Sequence, residues 1–181
     1  ADVLKSFIKE LPETDDFQVV AKEIPLVKKL IETGYTGRKG KGGFYRMNKS
    51  DNKKILEGIN LETGEYSLSK KFNLGSEKMD IVGLINRKDK YGEYAWSVIS
   101  KIIKYASSLV PGITDKFNDI DEAMRLGFNW AMGPFEMLKA IGVKNFFNRI
   151  EDFKNNKFLE NLSKSKDENF YGERQKYTNI E

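Results

Sequence analysis

Cysteine and histidine are both absent from the sequence. Without cysteine there are no disulfides, thiolate nucleophiles or cysteine-ligated metals. The lack of histidine removes the usual general base near neutral pH and the commonest metal ligand. Any acid–base chemistry must therefore come from carboxylates, lysine or tyrosine. No apolar run approaches the ~20 residues that span a bilayer, and the charged start Ala-Asp-Val-Leu-Lys-Ser-Phe lacks the order of a signal peptide. The chain thus reads as soluble and cytoplasmic, with no membrane span. Charge of one sign is lacking too: 31 basic and 27 acidic residues leave +4. This mixed surface argues against nucleic acid as a partner.

What is present suits a folded chain. Of the 181 residues, 39% are hydrophobic and 12% aromatic, enough to bury a core. Apolar spacing predicts helices over 3–11 and 25–33, the second with Pro25 in its first turn and Gly34 as its left-handed stop. Residues 53–69, turning at Leu61-Glu-Thr-Gly64, predict a β-hairpin. Most of 70–92 reads as loop. The strongest helix spans 93–109, with Ala95, Val98, Ile99, Ile102, Ala106 and Leu109 as its stripe, and it reads as buried around most of its circumference.

A helix follows at about 120–126, with Asn118 or Asp119 as cap and Gly127 as stop. Asp121 and Glu122 in its first turn suit the helix dipole. Gly133 can then cap the next helix, with Pro134 first and Glu136 reaching back to the Gly133 N–H. Further helices are expected at about 143–154 and 156–163. The element order repeats. Helix, helix, Lys-rich link and Phe-Tyr describe both Ala1 to Tyr45 and Val143 to Tyr171, with Leu4 answering Phe146 and Ile8 answering Ile150. The repeat suggests that the chain starts inside its first copy and is a piece of a longer polypeptide.

Three motifs carry competing readings. Gly37-Arg-Lys-Gly-Lys-Gly-Gly43 could cradle phosphate, but it lacks the spacing and strand–helix context of a P-loop, so a structural link with a solvated basic face weighs more. Asp119, Asp121 and Glu122 could hold a metal or act as acid and base, although capping already accounts for them. Trp96, Phe128, Trp130, Phe135, Phe146 and Phe147 could line a ligand pocket, but such aromatics are more often core.

The stretch DIDEAMRLGFNWAMGPFEMLKAIGV (119–143) resembles the signature of the C-terminal helical domain of 3-hydroxyacyl-CoA dehydrogenases. LIETGYTGRKGKGGFY (30–45) resembles the family's Gly-Arg-Lys-x-Gly-Lys-Gly-Phe-Tyr segment, with one extra glycine. YGEYAWSVISKIIKYASSLVPGI (91–113) resembles the matching helix of the second helical repeat in bacterial members. The resemblance implies a mainly α fold with a small inserted β-hairpin. Its parts would be the tail of a first repeat (1–47), hairpin and linker (48–79), a second repeat (80–171) and a tail or linker (172–181), where a cut before a hydratase domain would fit.

The resemblance also implies a parent enzyme of bacterial fatty-acid β-oxidation. There, NAD binds a Rossmann domain of the same polypeptide. A histidine, oriented by a glutamate, takes the 3-hydroxyl proton of the acyl-CoA while hydride passes to the nicotinamide. None of these chemical parts maps here. Asn86-Arg87 sits about where the active repeat carries an Asn-Arg step, with polar surroundings and no role carried over. Expected of this piece are no catalytic, cofactor or metal site, no activity alone, and a contribution to acyl-CoA-domain packing or a homodimer. The corner Gly127, Trp130, Gly133, Pro134 and Phe135 is the expected substrate or interface contact. The resemblance further implies another Gly-Pro-Phe helix start just before Ala1, and a histidine further back. A non-catalytic interaction or acyl-CoA-binding module is the alternative, and a basic nucleic-acid binder the remote one.

Overall fold

The computed structural model describes residues 2–50, 53–70, 80–165 and 170–171. The polypeptide forms two compact units, Ala1–Ser76 and Glu77–Glu181. It is mainly helical with one small antiparallel sheet, as the resemblance implies. The tail from 172 onward lies outside the described residues.

The first unit opens with α1 (Asp2–Glu10), α2 (Asp16–Val20) and α3 (Pro25–Glu32). Residues 12–16 read as a polar break, but Asp15 begins α2 by accepting the Phe17 N–H at 2.8 Å. The Gln18 amide then donates to the Ile8 and Leu11 carbonyls, each at 3.0 Å, and satisfies the end of α1. Five residues are too few for periodicity to reveal α2. Pro25 starts α3, and Gly34 follows its end with φ +85°.

The glycine-rich loop folds on itself. Gly37 N–H donates to Gly42 O (2.7 Å), Gly40 N–H to Gly37 O (3.0 Å) and Lys41 N–H to Gly34 O (3.1 Å). Lys41 Nζ reaches Thr33 O at 3.1 Å, a cation on the negative end of α3. These amides are not free to cradle a phosphate, which favours the structural-link reading.

The loop leads into β1 (Tyr45–Ser50), β2 (Lys53–Ile59) and β3 (Tyr66–Leu68), a meander in which Tyr45 faces Gly58 and Glu57 faces Leu68. The hairpin is β2–β3; β1 is an addition that its polar sequence conceals. Tyr66 stacks on Tyr35 with ring centroids 5.5 Å apart and donates its hydroxyl to Gly43 O. The Arg46 guanidinium lies 4.0 Å over the Tyr66 ring and donates to Glu57 at 2.6 Å. Among the described residues of this unit, Leu30 alone is a buried apolar side chain.

The second unit contains α4 (Ile81–Ile85), α5 (Lys90–Ser108), α6 (Phe117–Phe128), α7 (Pro134–Ile141), α8 (Val143–Phe147) and α9 (Lys157–Ser165). The loop expected over 70–92 is corrected in two places, while 71–79 lie outside the described residues. Asp80 accepts the Gly83 N–H at 2.7 Å and starts α4. Asp89 accepts the Tyr91 and Gly92 N–H groups at 3.1 Å and starts α5 three residues early. Arg87 pairs with Asp89, and this partner together with the two N–H groups holds the Asp89 carboxyl down at about 2.

The buried face of α5 is Gly92, Ala95, Ile103, Ala106 and Ser107. Burial around most of its circumference is overturned: Tyr94 is 72% exposed and Val98 37%. Ser107 is fully buried, and its hydroxyl is satisfied by donating to Ile103 O at 2.7 Å. The core joins Ile85, Ile103, Leu138, Ile141, Phe146, Leu159 and Leu162.

Three helix bounds also change. Helix α6 starts at Phe117, whose ring packs 5.1 Å from Phe135, and neither Asn118 nor Asp119 caps it. It runs past Gly127 to Phe128 and stops at Asn129 with φ +56°. Helix α8 ends at Phe147, where a Phe147–Phe153 ring contact at 5.0 Å draws the link back. Asn156 then starts α9, accepting the Leu159 N–H at 3.0 Å and donating to Lys104 O of α5 at 3.0 Å.

Candidate functional site: the corner between α6 and α7

The corner is built around a helix start that cannot cap itself. Gly133 occupies the N-cap of α7 and has no side chain to accept an N–H. Asp121 of α6 supplies that acceptor: its two oxygens take the Phe135 N–H at 2.8 Å and the Glu136 N–H at 3.0 Å. Glu136 completes the cap by accepting the Gly133 N–H at 2.8 Å, as its spacing predicts. Glycine is dictated by this approach. A Cβ on Gly133 would lie 2.3 Å from Asp121 Oδ1 and 2.4 Å from its Cα.

Around this cap lies a closed polar network. Arg125 Nη1 sits 2.6 Å from Glu136 Oε1 as an ion pair without an aligned hydrogen bond. The Tyr171 hydroxyl interacts with both the Asp121 carboxylate and the Arg125 guanidinium. Burial pushes the Asp121 carboxyl up, opposed by hydrogen bonds from the two backbone N–H groups and Tyr171. Burial and the Asp121 carboxylate push the Tyr171 hydroxyl up as well. Phe117, Phe135, Phe158 and Phe170 pack beside the network, with Phe170 5.6 Å and Tyr171 5.5 Å from Phe117.

An open cleft of about 390 Å³ borders the network, lined by Met132, Glu136, Lys139, Ala140 and Tyr171. Lys139 Nζ lies 5.5 Å from the centre of the Tyr171 ring. A raised carboxyl beside a cleft has the profile of an acid–base residue. Asp121 is nevertheless fully buried, and both of its oxygens are bound by main-chain N–H groups. That geometry suits fixing a helix start better than moving a proton. Among the described residues there is no group of three Asp or Glu placed to hold a metal, and no helix is long and apolar enough to cross a membrane.

The expected corner residues separate into two sets. Gly133, Pro134 and Phe135 are buried together against Asp121. Gly127 is exposed in the last turn of α6, and Trp130 is half-buried with its N–H on Met124 O at 3.4 Å. Phe128 is 70% exposed and so is not core, whereas Phe135 and Phe146 are fully buried. Asn86 ends α4 and accepts from Arg149 at 3.2 Å, while the Arg149 guanidinium lies 4.0 Å over the Trp96 ring. Sequence reasoning missed Asp121 as a cap for another helix, along with Arg125 and Tyr171. The available signal was the glycine at a helix N-cap, which leaves an acceptor to be supplied from elsewhere.

Residues 94–172 match the family model of the 3-hydroxyacyl-CoA dehydrogenase C-terminal domain, and the second unit belongs to that family. The chain is 38% identical over 153 residues to proteins of Rickettsia felis and Rickettsia prowazekii, each provisionally named a fatty acid oxidation complex trifunctional enzyme. Both matches cover 82% of this chain and 21% of the relative. A provisionally named 3-hydroxyacyl-CoA dehydrogenase of Bacillus subtilis is 34% identical over 130 residues, 67% of this chain and 16% of the relative. The chain thus spans about a fifth of the length of the first two relatives. No solved structure was found to match it.

Proposed function

We propose that this polypeptide is a helical, non-catalytic part of an NAD-dependent 3-hydroxyacyl-CoA dehydrogenase of fatty-acid β-oxidation. The observation that carries the reading is the match of 94–172 to the family's C-terminal domain in a chain that has no histidine. The proton acceptor that the resemblance implies must then stand elsewhere in the parent, as must the NAD-binding Rossmann domain. The Asp121 network fits a packing role, because its carboxylates hold a helix start. The cytoplasm is the proposed location. The test is NADH formation from a 3-hydroxyacyl-CoA: the parent enzyme turns over, and the 181-residue chain alone does not. Turnover by the chain alone would sink the reading.

An interaction role is the second reading, and exposed apolar side chains favour it. Leu126 is 74% exposed beside Phe128 at the end of α6, and Tyr94 and Val98 lie uncovered on α5. A homodimer through these surfaces would raise the sedimentation coefficient with concentration; a constant value would exclude it. If the cleft beside Lys139 takes acyl-CoA, calorimetric titration gives saturable heat, and no heat would remove that role.

A further inference from the structure

Strand β1 is an edge of the three-stranded sheet. Phe44 O accepts the Ile59 N–H at the end of β2 at 2.9 Å. Main-chain groups alternate sides along an antiparallel strand, so those of Arg46 and Asn48 also turn toward β2. Those of Tyr45, Met47 and Lys49 turn outward. Tyr45 O takes the Gly43 N–H at 2.9 Å. Among the described residues, no group beyond the sheet bonds to the N–H or C=O of Met47 or Lys49. Such an open edge is a template for a further strand.

The side chains at this edge share one face of the sheet. Tyr45, Met47 and Lys49 follow the period of two, and Gly58, Leu56 and Lys54 stand opposite them on β2. The Tyr45 ring lies over Gly58, where a Cβ would sit 3.5 Å from Tyr45 Cε1. Tyr45 is 62%, Met47 54% and Leu56 46% exposed, an uncovered apolar strip. Lys49 directly opposes Lys54, a like-charged pair that destabilises a sheet. Neither lysine has an acidic partner among the described residues. The open edge, the bare strip and the repelling pair call for one thing: a strand that carries an aromatic ring opposite Lys49.

We propose that this strand is β1 of a second copy of the chain, paired antiparallel about a two-fold axis at Met47. In this register β1 complements itself. Met47 and the partner's Met47 exchange both main-chain bonds. Tyr45 faces the partner's Lys49, and the ammonium gains a cation–π contact with the ring. Arg46 faces the partner's Asn48, so no like charges meet. An axis at Lys49 would instead set lysine against lysine. The pairing joins the two apolar strips across one continuous sheet. It leaves only the three-residue β3 as an outer edge, which closes the assembly at two copies. This contact lies in the first unit rather than on α5 or α6, and it does not depend on the enzymatic reading.

The chain has no cysteine, so single cysteines report the register. Met47→Cys sets the two Cα atoms about 5.5 Å apart, as in a hydrogen-bonded antiparallel pair, within reach of a disulfide. Leu56→Cys, on the same strip, sets them about 14 Å apart across three strand spacings of ~4.8 Å, beyond reach. Under mild oxidation, Met47→Cys should form a disulfide dimer several-fold faster than Leu56→Cys. Equal rates would overturn the pairing. In sedimentation, Met47→Pro should abolish the dimer of the 181-residue chain. The Met47 N–H points away from β2, so proline removes a bond at the seam and none within the sheet. Met47→Lys, which sets two lysines face to face at the axis, should do the same with the backbone unchanged. A dimer that survives both substitutions would overturn the proposal, as would an unsubstituted chain that stays monomeric at every concentration. A dimer lost only in Leu126→Lys belongs to the α6 surface and overturns the sheet pairing.

Discussion

Gly133 and Asp121 define each other. An alanine at 133 drives its Cβ into the Asp121 carboxylate and backbone at 2.3–2.4 Å. Gly133→Ala should therefore destabilise the second unit by about 3 kcal/mol, the upper range for overpacking a rigid site, read from urea unfolding. Asp121→Asn keeps one acceptor oxygen but turns an NH₂ toward a main-chain N–H. The expected loss is about 2 kcal/mol, since a buried donor left unmatched costs roughly 1–3 kcal/mol. Unchanged stability in either variant would remove the trans-capping account. At the other helix start, the Asp89 carboxyl is held at about 2 by Arg87 and the N–H groups of Gly92 and Tyr91. Its folded value is depressed, so the stability it contributes is present above its ordinary value near ~4 and lost as pH falls toward about 2. An NMR titration should place the Asp89 midpoint near 2 and move it upward in Arg87→Gln. The capping box at Gly133–Glu136 was legible because its partners are three residues apart. Asp121 was not, because its donors lie fourteen and fifteen residues away, a tertiary contact that no local pattern encodes.

Among the elements, α5 separates what periodicity shows from what packing decides. Its length and apolar content were plain, but the face that becomes core is set by α4, α7 and α9, which pack on it. Ile103→Ala should cost about 3 kcal/mol by emptying a fully buried site, whereas Val98→Ala on the exposed face should stay within about 0.5 kcal/mol. Comparable losses from both, measured by chemical denaturation, would contradict this assignment of faces. The hairpin β2–β3 was readable from its Thr-Gly turn. The short helices α2 and α4 were not, since each has five residues and depends on a cap and a neighbour. The glycine-rich loop shows how composition misleads: its glycines and lysine suggest a phosphate site, yet its amides and Lys41 Nζ serve the turn and the end of α3.

On the scale of the whole molecule, the two units differ in how much they bury. The second has a core running through five helices, while the described part of the first buries Leu30 alone among its apolar side chains. Local opening free energies follow buried contacts. Amide exchange should therefore be slow in α5 and α7 and fast throughout α1 and α3; equal protection in the two units would contradict this. The family resemblance of the second unit was legible from its Gly-Pro-Phe-Glu corner, because that corner combines a glycine forced by close approach with a buried aromatic. The proposed role follows from a corner whose charged groups fix a fold and from a sequence without histidine. The most direct test is NADH production from a 3-hydroxyacyl-CoA and NAD, measured side by side for the parent enzyme and the 181-residue chain. The account predicts turnover by the parent and none by the chain alone. Turnover by the isolated chain, or an inactive parent, would contradict it.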